Sequence, residues 1–101
     1  MIRHIVLLRL PRAHDAAELE EVMRGLGDLR HEVEGFEAFE HGQNLDFENK
    51  LPDHPYGFVA TFTSAEAVKA YAENETHRAL GERLVALCGG AAGIMVIDLD
   101  V

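Results

Sequence analysis

The chain has 101 residues, a single cysteine and a formal net charge of −9. That length predicts one domain. The lone Cys88 excludes an internal disulfide and points to a reducing, cytoplasmic compartment. With Lys and Arg scattered singly, nucleic acid and anionic membrane are excluded as partners, since both select basic stripes. No apolar run is long enough to cross a bilayer, and Met1-Ile2-Arg3-His4 leads directly into a strand-like segment rather than into a leader peptide.

Residues 2–10 alternate as a strand. Ile2, His4, Val6, Leu8 and Leu10 share one face, and Arg3, Ile5, Leu7 and Arg9 the other. Both centres are apolar, so both faces should be covered, and Pro11 ends the run. Asp15, with Glu18 three residues later, has the form of a capping box. Leu19, Val22, Met23, Leu26, Leu29 and Val33 then recur at helical spacing. Gly25 and Gly27 weaken this helix by about 1 kcal/mol each relative to Ala but let it lie close to the sheet, and Gly35 stops it. Residues 36–44 predict a half-exposed strand, with Gly42-Gln43-Asn44 marking a bulge or the strand end.

Residues 45–55 carry Asp46, Asn49, Pro52, Asp53 and Pro55 and predict a loop. Residues 56–63, rich in aromatic and β-branched types, predict a third strand. Ser64 is a suitable N-cap for a helix through Ala65, Val68 and Tyr71. Glu73-Asn74-Glu75-Thr76 interrupts it, and a second helical stretch carries His77, Leu80, Leu84 and Leu87 before Gly89-Gly90. Residues 93–100 predict a last strand, apolar on both sides. The order β-α-β-β-α-β is the ferredoxin-like α+β arrangement, one antiparallel sheet with its helices on one face. The opposite face, centred on Ile5 and Leu7, is then left wet in a monomer, and a two-fold homodimer is the simplest closure.

Three residues carry candidate chemistry. His4 stands among Ile2, Val6 and Leu8, as a polar group in an apolar pocket between sheet and helices or as a core histidine bonded to backbone. His77 begins a helical stretch, where the positive helix end favours a neutral imidazole able to act as a base; the competing reading is simple packing. Tyr71 either anchors a ligand carbonyl or phenol, or packs with its hydroxyl at the surface. Cys88 reads as a buried helix-end residue. The six histidines and 18 acidic residues show no metal-ligand spacing, so no metal and no cofactor are expected. Asp46, Glu48 and Asp53 form an acidic loop, able at most to hold a weak cation.

The opening Ile2-Arg3-His4-Ile5-Val6-Leu7-Leu8 resembles that of the stress-responsive dimeric A/B-barrel (Dabb) family. Gly42-Gln43-Asn44 is similar to the family's Gly-x-Asn after strand two, and Phe58-Val59-Ala60-Thr61-Phe62 followed by Ser64 and Glu66 to its strand-three signature. Tyr71 and His77 resemble its Tyr…His-x-x-His region, of which Asn74-Glu75-Thr76-His77 keeps only the last histidine. The resemblance implies a dimeric α+β barrel with a pocket in which His4, His77 and Tyr71 are catalytic and Tyr56, Val6 and Phe58 bind ligand. Polyketide-cyclase members resemble this chain at His4, Tyr71 and His77 but have a histidine on strand three where Tyr56 stands here. Haem-degrading monooxygenases and muconolactone isomerases share the fold, so fold alone does not separate these chemistries.

Three functions follow: a homodimer binding a small hydrophobic or carbonyl-containing molecule, a proton-transfer enzyme of the cyclase type using His4 and His77, and a structural or interaction dimer. A cavity reaching His4 and His77 favours the first two. A pocket plugged by Phe58, Phe62 and Met95 favours the third.

Overall fold

A computed structural model describes residues 1–101. Its elements are β1 (Ile2–Leu8), α1 (Ala16–Asp28), β2 (Phe36–Gln43), β3 (Tyr56–Phe62), α2 (Ala65–Glu73), α3 (Glu75–Leu87) and β4 (Ile94–Asp100), with 3-10 turns at Leu29–His31 and Ala91–Gly93. The strands form one sheet in the order β2-β3-β1-β4, antiparallel at every pairing. The fold is ferredoxin-like α+β, with the second helix of the pattern broken in two. No helix is long and apolar enough to cross a membrane.

The break falls on one residue, narrower than the four expected. Asn74 has extended backbone (ψ 132°), ends α2, and accepts at 3.0 Å from the His77 amide to cap α3. The side chain thereby satisfies a helix-start amide that has no partner within its own helix. At α1, Asp15 accepts from the Glu18 amide at 3.1 Å, but Glu18 does not complete the capping box. Its carboxylate takes two bonds from the Arg83 guanidinium, at 2.9 and 2.5 Å, joining α1 to α3. The bulge of β2 lies between Phe36 and Ala38, while Gly42 and Gln43 stay in register with Gly57 and Tyr56 until the strand ends.

The helices cover the sheet face that carries Val6, Leu8, Phe58, Ala60 and Phe62. These meet Leu19, Val22, Met23 and Leu26 of α1, Tyr71 of α2, and Leu80 and Leu84 of α3, all buried. Both glycines of α1 permit close approach, each to a different element. A Cβ on Gly27 would lie 3.1 Å from the Phe39 ring of β2, and one on Gly25 would lie 2.9 Å from Leu80 of α3. Cys88 is buried in this core, where burial raises its thiol pKa, with Arg9 opposing.

The opposite face has no helix. Ile5, Leu7 and Val59 are half-buried there, and Met95, Ile97 and Leu99 of β4 are exposed by 36%, 41% and 47%. β4 is also incompletely covered on the helix side, where Val96 is 52% exposed. That second gap is where the candidate site lies.

Candidate functional site

The gap is a cleft of ≈ 580 Å³ between α3 and strands β1, β3 and β4. Strand alternation delivers His4, Val6 and Phe58 to its floor, and β4 adds Ile94 and Val96. Helical spacing delivers His77, Arg78, Gly81, Glu82, Leu84 and Val85 to its other wall. Gly81 has no side chain to fill the space, and a Cβ there would meet nothing within 4 Å. The lining is apolar with a few polar groups, and the volume is that of a small-molecule site.

His4 is held by a partner absent from the sequence expectations. Its Nδ1 lies 2.7 Å from Oδ1 of Asp98, the residue opposite it in β4. A carboxylate accepts and does not donate, so the neutral ring carries its proton on Nδ1 and leaves the Nε2 lone pair free. The imidazole is largely shielded, its side chain 15% exposed, whereas Asp98 is 48% exposed.

His77 is half-buried, and its Nδ1 is buried without a hydrogen-bond partner. Its pKa is lowered, first by burial, with proximity of His4 adding to the shift and the Ala72 backbone opposing it. The direction matches the expectation from the helix end, but desolvation is the larger cause. At neutral pH this ring is uncharged.

Tyr71 stands behind both histidines. Its ring lies 5.8 Å from His4 and 4.1 Å from His77, between centroids, and packs on Phe36 and Phe62. The residue is 1% exposed, so its hydroxyl is not at the surface; that hydroxyl has no partner, and burial raises its pKa far above the usual phenol range. Tyr71 thus backs the histidine pair without lining the cleft itself.

Tyr56 is not brought into this group. It shares the helix-side face but lies at the other end of the sheet, where its hydroxyl is 2.6 Å from Nδ1 of His41, in a separate recess with His14, Leu19 and Glu20. Burial, then the charge of Glu20, raise its pKa. Of the residues proposed to plug the pocket, Phe62 is wholly buried in the core and Met95 lies on the outer face with Leu7. Phe58 is a wall of the cleft rather than a stopper. Within the acidic loop, the Asp46 carboxylate is engaged, accepting from the Lys50 and Leu51 amides at 3.0 Å. No group of three or more His, Cys, Asp or Glu side chains converges anywhere in the chain.

Asp98, Arg78, Gly81 and Glu82 are the site residues that sequence reasoning missed. One signal was present but did not single out Asp98: two carboxylates, Asp98 and Asp100, stand in β4 on the same alternate positions as Ile94 and Val96.

Residues 2–101 match the model of the family described as Stress responsive A/B Barrel Domain. The chain is similar to the stress-response A/B barrel domain-containing protein HS1 of Arabidopsis thaliana, 27% identical over 97 residues, covering 96% of this chain and 86% of that protein. Among solved structures, a dimeric ferredoxin-like protein of unknown function from Jannaschia sp. CCS1 superposes with a TM-score of 0.92 at 42% identity, covering 99% of this chain and 98% of that one. The hydroxynitrile lyase of Passiflora edulis shares the fold at 15% identity, with a TM-score of 0.81 over 99% of this chain and 92% of that one.

Proposed function

The chain belongs to the stress-responsive A/B barrel domain family, and on that footing we propose that it is a homodimer binding a small, partly apolar, carbonyl- or hydroxyl-containing molecule in the cleft between α3 and the sheet. The observation that carries the reading is the pair of imidazoles at the cleft. His4 has Nδ1 tied to Asp98, and His77 is kept neutral by burial. Both imidazoles line the cleft with Arg78 and Glu82 among apolar side chains, and Nε2 of His4 is free to accept. A phenol or enol hydroxyl placed there donates to Nε2 of His4 in a desolvated setting, while its hydrocarbon part lies against Val6, Phe58, Leu84 and Val96. The dimer is supported by the uncovered outer sheet face and by the dimeric description of the Jannaschia relative.

The His4–Asp98 bond also favours a second, catalytic reading. A histidine with its tautomer fixed by a carboxylate is arranged as a general base. Nε2 of His4 would take a proton from the carbon between two carbonyls of a β-diketone. Where the molecule carries a third, more distant carbonyl, the resulting enolate would attack that carbon, closing a carbon–carbon bond, and the alkoxide so formed would recover the proton from His4. Tyr56 takes no part in this scheme, because it lies in another recess.

Calorimetric titration with a β-diketone and with a substituted phenol tests the reading. Wild type should bind one of the two saturably. His4→Gln, which keeps the side chain polar, should weaken binding about tenfold or more, the loss of at least one desolvated hydrogen bond, with its melting transition retained. Equal binding by the variant would remove His4 from the site. Native mass measurement at micromolar concentration gives the assembly, and a monomer there would refute the dimer.

A further inference from the structure

The outer sheet face carries two charges that the single chain leaves unmatched. In the paired rows of that face, β2 contributes Ala38, Glu40 and Gly42, and β3 contributes Gly57, Val59 and Thr61. β1 contributes Arg3, Ile5 and Leu7, and β4 contributes Met95, Ile97 and Leu99. Arg3 and Glu40 are the only ionised members. No ion pair joins them.

A second feature of the same face is a recess of ≈ 280 Å³ bordered by Ile5, Leu7, Glu40 and Val59. It exists because Gly42 and Gly57 face each other across β2 and β3. A Cβ on Gly42 would meet nothing within 4 Å. The face therefore has both a hollow and, in the exposed Ile97 and Leu99 of β4, the knobs to fill one.

The two features agree on one symmetry operation. Consider two copies packed face to face about a two-fold axis lying between the sheets and bisecting the line from Arg3 to Glu40. Each Arg3 then falls on the partner's Glu40, as an isologous contact requires. On an ideal lattice with about 4.8 Å between strands and about 6.8 Å between alternate residues, the same rotation lays Ile97 over the partner's Gly57. It brings Leu99 to within about 3 Å of the partner's Gly42 in projection. The axis was fixed by the charges alone, and the fit of knobs to hollow is an independent consequence.

We propose that two symmetry-related Arg3–Glu40 ion pairs set the register of the homodimer, and that Ile97 and Leu99 of each copy sit in the glycine recess of the other. The inference rests on the homodimer reading above and names the contacts that fix it. A charge pair desolvated in this way acts chiefly on specificity, because any other register strands both charges against apolar surface.

The test is sedimentation equilibrium over a dilution series, with far-UV circular dichroism as the folding control. The chains compared are wild type, Glu40→Arg, Arg3→Glu, the double charge swap and Gly42→Val. Each single reversal should raise the dimer dissociation constant about a hundredfold, and the swap should recover most of that loss. Gly42→Val, which the isolated chain accommodates, should also weaken the dimer by filling the recess. A wild type that is monomeric throughout refutes the homodimer reading and this inference together. A dimeric wild type whose dissociation constant is unmoved by Glu40→Arg, or a swap no better than the single reversals, refutes the ion pair while leaving the dimer intact. If Arg3→Glu fails to fold, Glu40→Arg and Gly42→Val decide, since both sites are exposed in the monomer.

Discussion

Tyr71 has its ring in the core and its hydroxyl without a partner. Leaving a buried hydroxyl unpaired costs about 1–3 kcal/mol, so Tyr71→Phe should stabilise the fold by about 1 kcal/mol in chemical denaturation. If the hydroxyl serves the histidine pair, the same variant should bind ligand less well; a variant less stable than wild type would mean that the hydroxyl is satisfied. His77 gives a pH signature. Its folded pKa lies below its unfolded value, so at pH 6.5 and somewhat below the unfolded chain binds more protons than the folded one. Its contribution is complete above the unfolded pKa of 6.5 and shrinks as pH falls from there toward the folded pKa. The melting temperature of His77→Gln should accordingly fall less than that of wild type between neutral and mildly acid pH, and parallel pH profiles would contradict a buried neutral ring. For His4, nitrogen-15 spectra should find the proton on Nδ1 in wild type and shifted toward Nε2 in Asp98→Ala, while an unchanged tautomer would show that the carboxylate does not set it. Alternation placed His4 and Val6 on one strand face and helical spacing put His77 on a helix, while their grouping with Phe58 around one pocket came from the family resemblance. Asp98 was not legible in the sequence, because its contact spans 94 positions of chain and depends on strand order and register. Tyr56 shows the same limit from the other side. Its alternation puts it on the correct face, but only the register shows it to be at the wrong end.

Among the elements, β2 and β3 hold a paired contrast. Gly42 and Gly57 face each other in register, but only one has room for a side chain. A Cβ on Gly57 would lie 2.6 Å from the Val6 carbonyl oxygen, a backbone atom that cannot turn away, whereas Gly42 is open. Gly57→Ala should destabilise by about 1–3 kcal/mol, the usual cost of overpacking, and Gly42→Ala should leave monomer stability nearly unchanged. Equal effects in denaturation experiments would contradict the local geometry. All four strands and both helical regions could be read from the sequence, because each has a clear period bounded by Pro, Gly or a capping side chain. What could not be read was where partners interfere. The Glu18 carboxylate was expected to close its own helix start and instead bonds Arg83, 65 residues on. The interruption after α2 shrank to Asn74 because that one side chain caps the next helix while its extended backbone ends the previous one. The bulge sits at Phe36 and Ala38 rather than at Gly42, since the glycines there keep the register and create a hollow instead of a kink.

At the scale of the whole molecule, the sheet has two kinds of uncovered surface, with different consequences. The outer face has no helix over it and is mostly apolar, with Met95, Ile97 and Leu99 exposed, and it is the face on which the proposed second copy would pack. The inner gap beside β4 is concave, apolar and edged by Arg78 and Glu82, which suits a small molecule. The net charge of −9 is borne mostly on the helices and loops, where it favours solubility. The central claim is that His4 and His77 share one ligand site, and histidine ring NMR tests it most directly. The six histidines supply their own controls, because His14 and His31 lie outside the cleft. Titration with a β-diketone or a substituted phenol should move the His4 and His77 resonances together, along one saturable curve, and leave His14 and His31 unmoved. If no ring responds, or all six drift alike while the protein stays folded, the shared site is wrong.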